Sequence, residues 1–353
     1  MKKKKIAIIG SHGLYANYGG WDQLVRKLAE EKSENIEYLI FNSADSPKEI
    51  VIPNGVEVKW LYFKAAGFQG LFFDFWSLVS CFMVVDNFLL LGVQGMPIIP
   101  ILRLFRKNSI VANVGGIEWE RPKFGYLSKL YLKFCFKLSF KYSKYVVLDN
   151  QHYDSFTPIK HKAEVRIIPY GGEIDKTLEL TDKIIEKYPF ITNEYYLSIS
   201  RSLEDNQLEE LCKCFLGSNN ILVLISNFTN SEYGASVLKK YNTENNLILI
   251  NGLYDKPELD LIRRKCKAYI HTHTLCGTAP SLVEMVISRR PIISFDNPQN
   301  RFTLNNKGIF FTSFDHLQIE IDSCKDFSKF IPSEDLCSKY NWKKIVASYE
   351  SLY

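Results

Sequence analysis

The chain has 353 residues, 46% of them apolar and 24% charged, with a formal net charge of +5. That length suits two α/β domains better than one, and so mild a basic excess gives no ground for a nucleic-acid partner. Eight cysteines scattered through apolar segments form no disulfide framework and no zinc pattern, so the thiols are expected to be reduced and cytosolic.

The basic run Lys2 to Lys5 leads directly into Ile6-Ala-Ile-Ile-Gly10. This is too short for a signal core and reads as a first buried strand over 5–9. Further strands are expected at 37–41, 56–61, 88–91, 109–113, 144–148 and 165–168. The segment 71–92 is strongly apolar, but Asp74 and Asp86 leave an uncharged stretch far below the roughly 20 residues of a membrane span. It reads as a core or interfacial helix. Pro169-Tyr-Gly-Gly172 closes this series, and the polar residues 173–194 read as a linker. Strands resume at 195–200, 221–225, 247–250, 268–271 and 292–295, and residues 340–353 form an amphipathic helix. Strands alternating with helix-length segments imply parallel sheets covered on both faces. The expected fold is therefore α/β with two Rossmann-like domains, residues 1–172 and 195–339.

Three segments carry candidate chemistry. The first strand opens into Gly10-Ser-His12-Gly13-Leu-Tyr-Ala-Asn-Tyr-Gly19-Gly20 and then a helix. The glycines are too far apart for a dinucleotide fingerprint, which counts against a dehydrogenase, yet the loop can bring N–H groups toward an anion. In the second half, Gly277-Thr-Ala-Pro-Ser-Leu-Val-Glu284 lies between two strands and opens a helix, with Thr278 as the expected N-cap and Pro280 in the first turn. A helix start of this kind attracts phosphate. Glu284 lies deeper, where its carboxylate can accept sugar hydroxyls or form a plain salt bridge. Arg201, at the carboxyl end of strand 195–200, points to the crevice where such sheets bind ligands, and its fork suits a diphosphate. A surface ion pair is the alternative. After strand 109–113 comes Asn113-Val-Gly115-Gly116-Ile-Glu118-Trp119-Glu-Arg121, with Glu118 and Trp119 expected to face the crevice.

These motifs, taken in order, resemble the retaining, GT-B-fold glycosyltransferases of family four, most closely the rhamnosyltransferase-type branch of bacterial polysaccharide clusters, such as those for capsule or O-antigen. The resemblance runs along the whole chain: the glycine loop at 10–20, Asn-Val-x-Gly-Ile-Glu-Trp at 113–119 and Tyr-Gly at 170–171. It continues through Tyr-Tyr-Leu-x-x-x-Arg-x-Leu-Glu-x-Asn at 195–206, Asn227-Phe with Glu232-Tyr-Gly, and Gly-Thr-x-Pro-Ser-Leu-Val-Glu at 277–284. Asp296-x-Pro-x-Asn-Arg301 and the closing Tyr-x-Trp helix complete it.

The resemblance implies two domains facing across a cleft, with helix 340–353 crossing back onto the N-terminal one. It also implies a sugar nucleotide between them, held mainly by the C-terminal domain. Arg201 and the turn Gly277, Thr278, Ala279, Pro280 and Ser281 would take the diphosphate, Glu284 the ribose, and Leu253 and Tyr254 the base. Gly19 and Gly20 would close from the other side. No cofactor or metal is implied, because arginine and helix dipoles meet the donor charge. Two positions depart from the pattern. Cys276 stands where the wider family has a sugar-binding glutamate, and Gly115 stands where the branch has Asp or His near the acceptor. Gly115, Gly116, Glu118 and Trp119 would line the acceptor side, with Glu118 or His12 as the acid or base. Asn206 takes the place of the family's lysine.

Lys129, Lys133, Lys137 and Lys141 recur every four residues among Leu, Phe and Tyr, forming one basic helical stripe. Such a stripe suits a membrane surface, although a solvated helix face has the same pattern. The acceptor class of the resembled branch, a lipid-linked saccharide, favours the cytoplasmic face of the plasma membrane. The expected activity is thus transfer, with retention, of a sugar such as L-rhamnose from dTDP-rhamnose. The alternatives are a UDP- or GDP-hexose donor, a sugar-nucleotide epimerase, and a non-catalytic membrane-associated subunit of an assembly complex.

Overall fold

A computed structural model describes residues 3–16, 19–120, 124–324 and 326–353. The chain divides into two compact units, Met1–Tyr170 with Trp342–Tyr353, and Gly171–Asn341. The break falls after the first strand series, and the last helix belongs to the first unit.

In the first unit, seven strands pair in parallel: β1 (Lys4–Ile9), β2 (Ile36–Asn42), β3 (Val56–Trp60), β4 (Asn87–Leu91), β5 (Ser109–Gly115), β6 (Tyr145–Leu148) and β7 (Glu164–Ile167). Their order is β3-β2-β1-β4-β5-β6-β7. Successive side chains of a strand face opposite sides of a sheet, and here both sides are apolar. Ile6 and Ile8 pack with helices α1 (Gly20–Glu31) and α13 (Trp342–Glu350) through Leu24, Leu28, Trp342 and Tyr349. Ala7 and Ile9 face the other side, covered by α2 (Gly67–Cys81), α3 (Ile99–Leu102) and α4 (Tyr126–Tyr142) through Phe73, Ile99 and Phe136.

The outer faces of α2 and α4, and the turn that follows α3, are unusually apolar. Phe68 is 78% exposed, Leu104 82% and Leu127 79%, with Trp76, Phe105 and Phe134 also exposed. α4 adjoins the segment around α3: the Tyr131 hydroxyl on α4 donates to the Gln94 carbonyl at 2.8 Å, and Arg103, at the end of α3, lies 5.9 Å over the Tyr142 ring. Lys133, Lys137 and Lys141 are exposed on α4, Lys129 is half-buried, and that helix carries no acidic residue. Among the described residues, no helix is long and apolar enough to cross a membrane.

The second unit has six parallel strands: β8 (Tyr195–Ile199), β9 (Ile221–Ser226), β10 (Leu247–Asn251), β11 (Ala268–His271), β12 (Ile292–Phe295) and β13 (Ile309–Phe311), in the order β10-β9-β8-β11-β12-β13. Tyr195 and Leu197 pack on one side with α5 (Asp182–Lys187), α8 (Lys256–Lys265), α9 (Pro280–Ile287) and α12 (Glu334–Lys339). Tyr196 faces the other side, with α6 (Leu208–Phe215), α7 (Glu232–Tyr241) and α11 (Phe314–Ser323). A short α10 (Pro298–Thr303) precedes β13, a strand whose Ile-Phe-Phe run gives no sequence signal of its own. Residues 173–194, expected as a linker, carry α5 and the 3-10 turn Pro189–Thr192; Ile184, Tyr188, Phe190 and Ile191 anchor them in the second unit's core.

Candidate functional site

In an open parallel sheet, ligands bind beyond the carboxyl ends of the strands, where the strand order reverses. In the second unit that point lies between β8 and β11, and the loops leaving these strands are laced together. Thr274 N–H donates to the Asp205 carbonyl at 3.1 Å, and Gln207 Nε2 to the Thr272 carbonyl at 2.9 Å. Asn206, buried, donates through Nδ2 to the Arg201 carbonyl at 2.7 Å, which leaves the Arg201 side chain exposed at this edge.

The turn 277–281 leads from β11 to α9. Its N-cap is Ala279 at φ −68° and ψ 124°, not Thr278 as expected. The physical reason is Pro280: its ring forces the preceding residue into extended backbone, so the helix can begin only at the proline. Thr278 is buried, and the N-cap alanine has no side chain that could cap the helix. Glu284 lies one turn in, half-buried, and its Oε2 accepts from Arg263 Nη2. Arg263 Nη1 donates to Asp260 Oδ1 at 2.6 Å, and Lys256 Nζ to Asp260 Oδ2 at 2.7 Å. Burial raises the Glu284 pKa, and the Arg263 charge opposes that rise. The plain salt bridge is therefore present, and any ribose contact falls to the other carboxylate oxygen. Beyond β10, Leu253 is partly packed, while Tyr254 is exposed with its hydroxyl 2.8 Å from Asn227 Oδ1.

In the first unit the reversal lies between β1 and β4. Gly10 allows the chain to leave β1 here: it sits at φ +101°, and a Cβ would stand 2.0 Å from the Leu91 carbonyl oxygen. The loop then presents His12, whose Nδ1 is 3.5 Å from Oδ2 of the buried Asp22 on α1. Asp22 also accepts the main-chain N–H of His12 at 2.9 Å and of Gly19 at 3.2 Å. Gly19 is exposed and Gly20 opens α1. Asn17, Tyr18 and Arg121, parts of the motifs above, lie outside the described residues.

Gly115 ends β5 at φ +63°, where a Cβ would meet Trp21 Cζ2 at 2.8 Å, so an acidic side chain at this position would collide with the indole. Gly116 faces the Tyr153 hydroxyl, and Glu118 is half-buried in the turn Glu118–Glu120. Trp119 differs from the expectation that it faces the crevice. It is buried, edge-on to Phe136 of α4 at 4.8 Å between centroids, because a large apolar ring gains more from that core than from water.

Sequence reasoning missed Asp22, which orients His12, and the cluster of His271, His273 and Cys276, whose donor atoms lie within 4.8 Å of one another. Spacing among cysteines alone does not reveal the latter; the His-x-His-x-x-Cys run at a strand end is the signal.

No protein-family model and no curated relative matches the chain by sequence. Solved structures do match it over its whole length. Sucrose-phosphate synthase from Thermosynechococcus elongatus is 14% identical, with a TM-score of 0.81 over 99% of this chain and 98% of that one. HepE from Anabaena in complex with UDP-glucose is 12% identical, with a TM-score of 0.73 over 99% and 100%. The trehalose-6-phosphate synthase OtsA is 12% identical, with a TM-score of 0.70 over 99% and 98%. At these identities the likeness is one of fold: the chain has the GT-B architecture of two parallel-sheet α/β domains.

Proposed function

We propose that the protein is a glycosyltransferase whose second unit holds a nucleoside diphosphate sugar. The observation that carries this reading is the placement of three groups after the two strands of the switch point: exposed Arg201 beyond β8, and beyond β11 the start of α9 with Glu284 in its ion pair. A guanidinium fork and the positive end of a helix dipole suit a diphosphate, and a carboxylate beyond them suits a ribose hydroxyl. Support comes also from neighbours of the same fold that were solved with UDP and with UDP-glucose. Positive charge from Arg201 and the helix start would meet the leaving diphosphate without a metal upon it. Transfer with retention belongs to the same reading.

The donor sugar we propose is L-rhamnose from dTDP-rhamnose; a UDP-hexose is the second reading, favoured by the neighbours' ligand. On the first unit, His12 oriented by Asp22, with Glu118 nearby in sequence to Gly115, would serve the acceptor hydroxyl. The acceptor we propose is a lipid-linked saccharide at the cytoplasmic membrane surface. The exposed apolar faces of α2 and α4 and of the turn after α3, with the lysines of α4 and no acid on that helix, support a bilayer with anionic headgroups.

A thermal-shift screen of nucleotides and sugar nucleotides, followed by turnover with a lipid-linked acceptor, tests the reading. Stabilisation by a nucleoside diphosphate sugar and appearance of free nucleoside diphosphate are expected. Stabilisation without transfer would make the protein a binding subunit, and no stabilisation by any nucleotide would overturn the proposal.

A further inference from the structure

We propose that His271, His273 and Cys276 form a binding site for a zinc-class divalent cation at the carboxyl end of β11. The inference goes beyond the transferase reading and does not depend on it. His271 and His273 stand two residues apart at a strand end, with ring centroids 4.2 Å apart, and Cys276 Sγ lies 3.9 Å from His271 Nε2. All three donor atoms fall within 4.8 Å of one another. Zinc binds nitrogen at about 2.0–2.1 Å and sulfur at about 2.3 Å in a tetrahedron, which sets ligand-to-ligand edges of roughly 3.3–3.7 Å. The cluster therefore needs to draw in by up to about 1.5 Å. His271 stands in β11 itself, and His273 and Cys276 in the turn that follows it, so side-chain rotation makes the closing movement.

The surroundings prepare these atoms as ligands. The Tyr269 hydroxyl donates to the Ile199 carbonyl at 3.1 Å and lies 3.4 Å from His271 Nδ1. With its own hydrogen directed to that carbonyl, the hydroxyl accepts from Nδ1–H, which leaves the Nε2 lone pair facing Cys276. A partner on the far nitrogen that fixes the tautomer is the usual support of a metal-binding imidazole. Asn300 adds a fourth atom. Its Nδ2 donates to the carbonyls of His273 at 3.2 Å and Phe295 at 3.0 Å, which turns Oδ1 toward Cys276 Sγ at 3.8 Å. Two imidazoles, one thiol and an amide oxygen suit zinc and its cobalt substitute; magnesium and calcium demand oxygen throughout. On binding, the thiol S–H bond breaks and a metal–sulfur bond forms. That proton passes to solvent.

The experiment uses the full chain, stripped with a chelator and titrated with zinc against a chromophoric competitor. One tightly held ion per chain is expected, weakened by at least about a hundredfold in Cys276→Ser and in His273→Gln. In the wild-type chain, zinc should protect Cys276 from alkylation while leaving Cys324 and Cys337 as reactive as before, read by peptide mass mapping. Cobalt should give a thiolate charge-transfer band that Cys276→Ser lacks. Failure of the wild-type chain to retain zinc, the same stoichiometry and affinity in both variants, or unaltered alkylation of Cys276 would each overturn the site. None of these outcomes bears on nucleotide binding, which is measured separately.

Discussion

His12 Nδ1 stands 3.5 Å from Asp22 Oδ2, and the same buried carboxylate accepts the main-chain N–H of His12 and of Gly19. One acid thus fixes the loop leaving β1 and the ring carried on it, with Nε2 turned away from the carboxylate. A base oriented by a carboxylate has this arrangement. His12→Asn is expected to lower kcat by about 10²–10⁴-fold, the usual scale for a general base, with nucleotide Kd unchanged. Steady-state kinetics on the variant checks it, and a wild-type kcat would remove His12 from the chemistry.

Buried Asp260 and Arg263 and half-buried Glu284 form a line of charge in which the arginine lies between two carboxylates. Arg263→Met leaves Glu284 without its cation and Asp260 with Lys256 alone. That change is expected to destabilise the chain by about 3–5 kcal/mol in urea unfolding, the scale for breaking a buried pair. Glu284→Gln, which keeps a hydrogen-bond acceptor for Arg263, should be milder. Equal effects of the two changes would contradict this account of the network.

Burial alone pushes the Asp74 carboxyl on α2 up to about 8 from 3.8. The folded chain then keeps a proton that the unfolded chain releases, so this group makes stability fall as pH rises between those two values. Asp74→Asn has no such group. Its stability relative to wild type is expected to grow with pH across that window, by up to about 1.4 kcal/mol per unit, and to level off above it. Parallel denaturant curves at about pH 5 and pH 8 decide the matter, and a gap independent of pH would contradict the burial of an ionisable carboxyl here.

The apolar faces of α2 and α4 and of the turn after α3, and the lysines of α4, are expected to act together on anionic vesicles. Lys133→Glu with Lys137→Glu should abolish cosedimentation, and Trp76→Ser should weaken it. Added salt should reduce wild-type binding, since about 1 kcal/mol per surface lysine is electrostatic and screened. Cosedimentation that survives both sets of changes would remove the membrane from the account.

Most of the strands were legible because they are short apolar runs between polar helices, as at Ile6 to Ile9 and Ile221 to Ile225. β13 was not, because Ile309-Phe-Phe311 is too short to stand out from the helices around it. The polar composition of 173–194 hid four apolar side chains that reach a core assembled from strands further along the chain. The exposed position of Arg201 just beyond β8 was legible from the strand pattern, since the apolar run Tyr195 to Ile199 ends before it. The partners of Glu284 and His12 were not. Arg263 lies 21 residues from Glu284 on another helix, and Asp22 reaches back across the glycine loop, contacts that only the folded chain defines. The lysine period on α4 could be read directly, whereas the exposure of Phe68, Leu104 and Leu127 depends on which sides of three helices the sheet covers.

The affinity of Arg201→Ala for the nucleoside diphosphate of the donor, measured by calorimetry beside wild type, tests the central claim most directly. Loss of about 1.5–3 kcal/mol, roughly ten- to a hundredfold in Kd, is predicted for a guanidinium that hydrogen-bonds a charged diphosphate. An unchanged Kd in a variant that melts like wild type would contradict the placement of the nucleotide at the β8/β11 switch point.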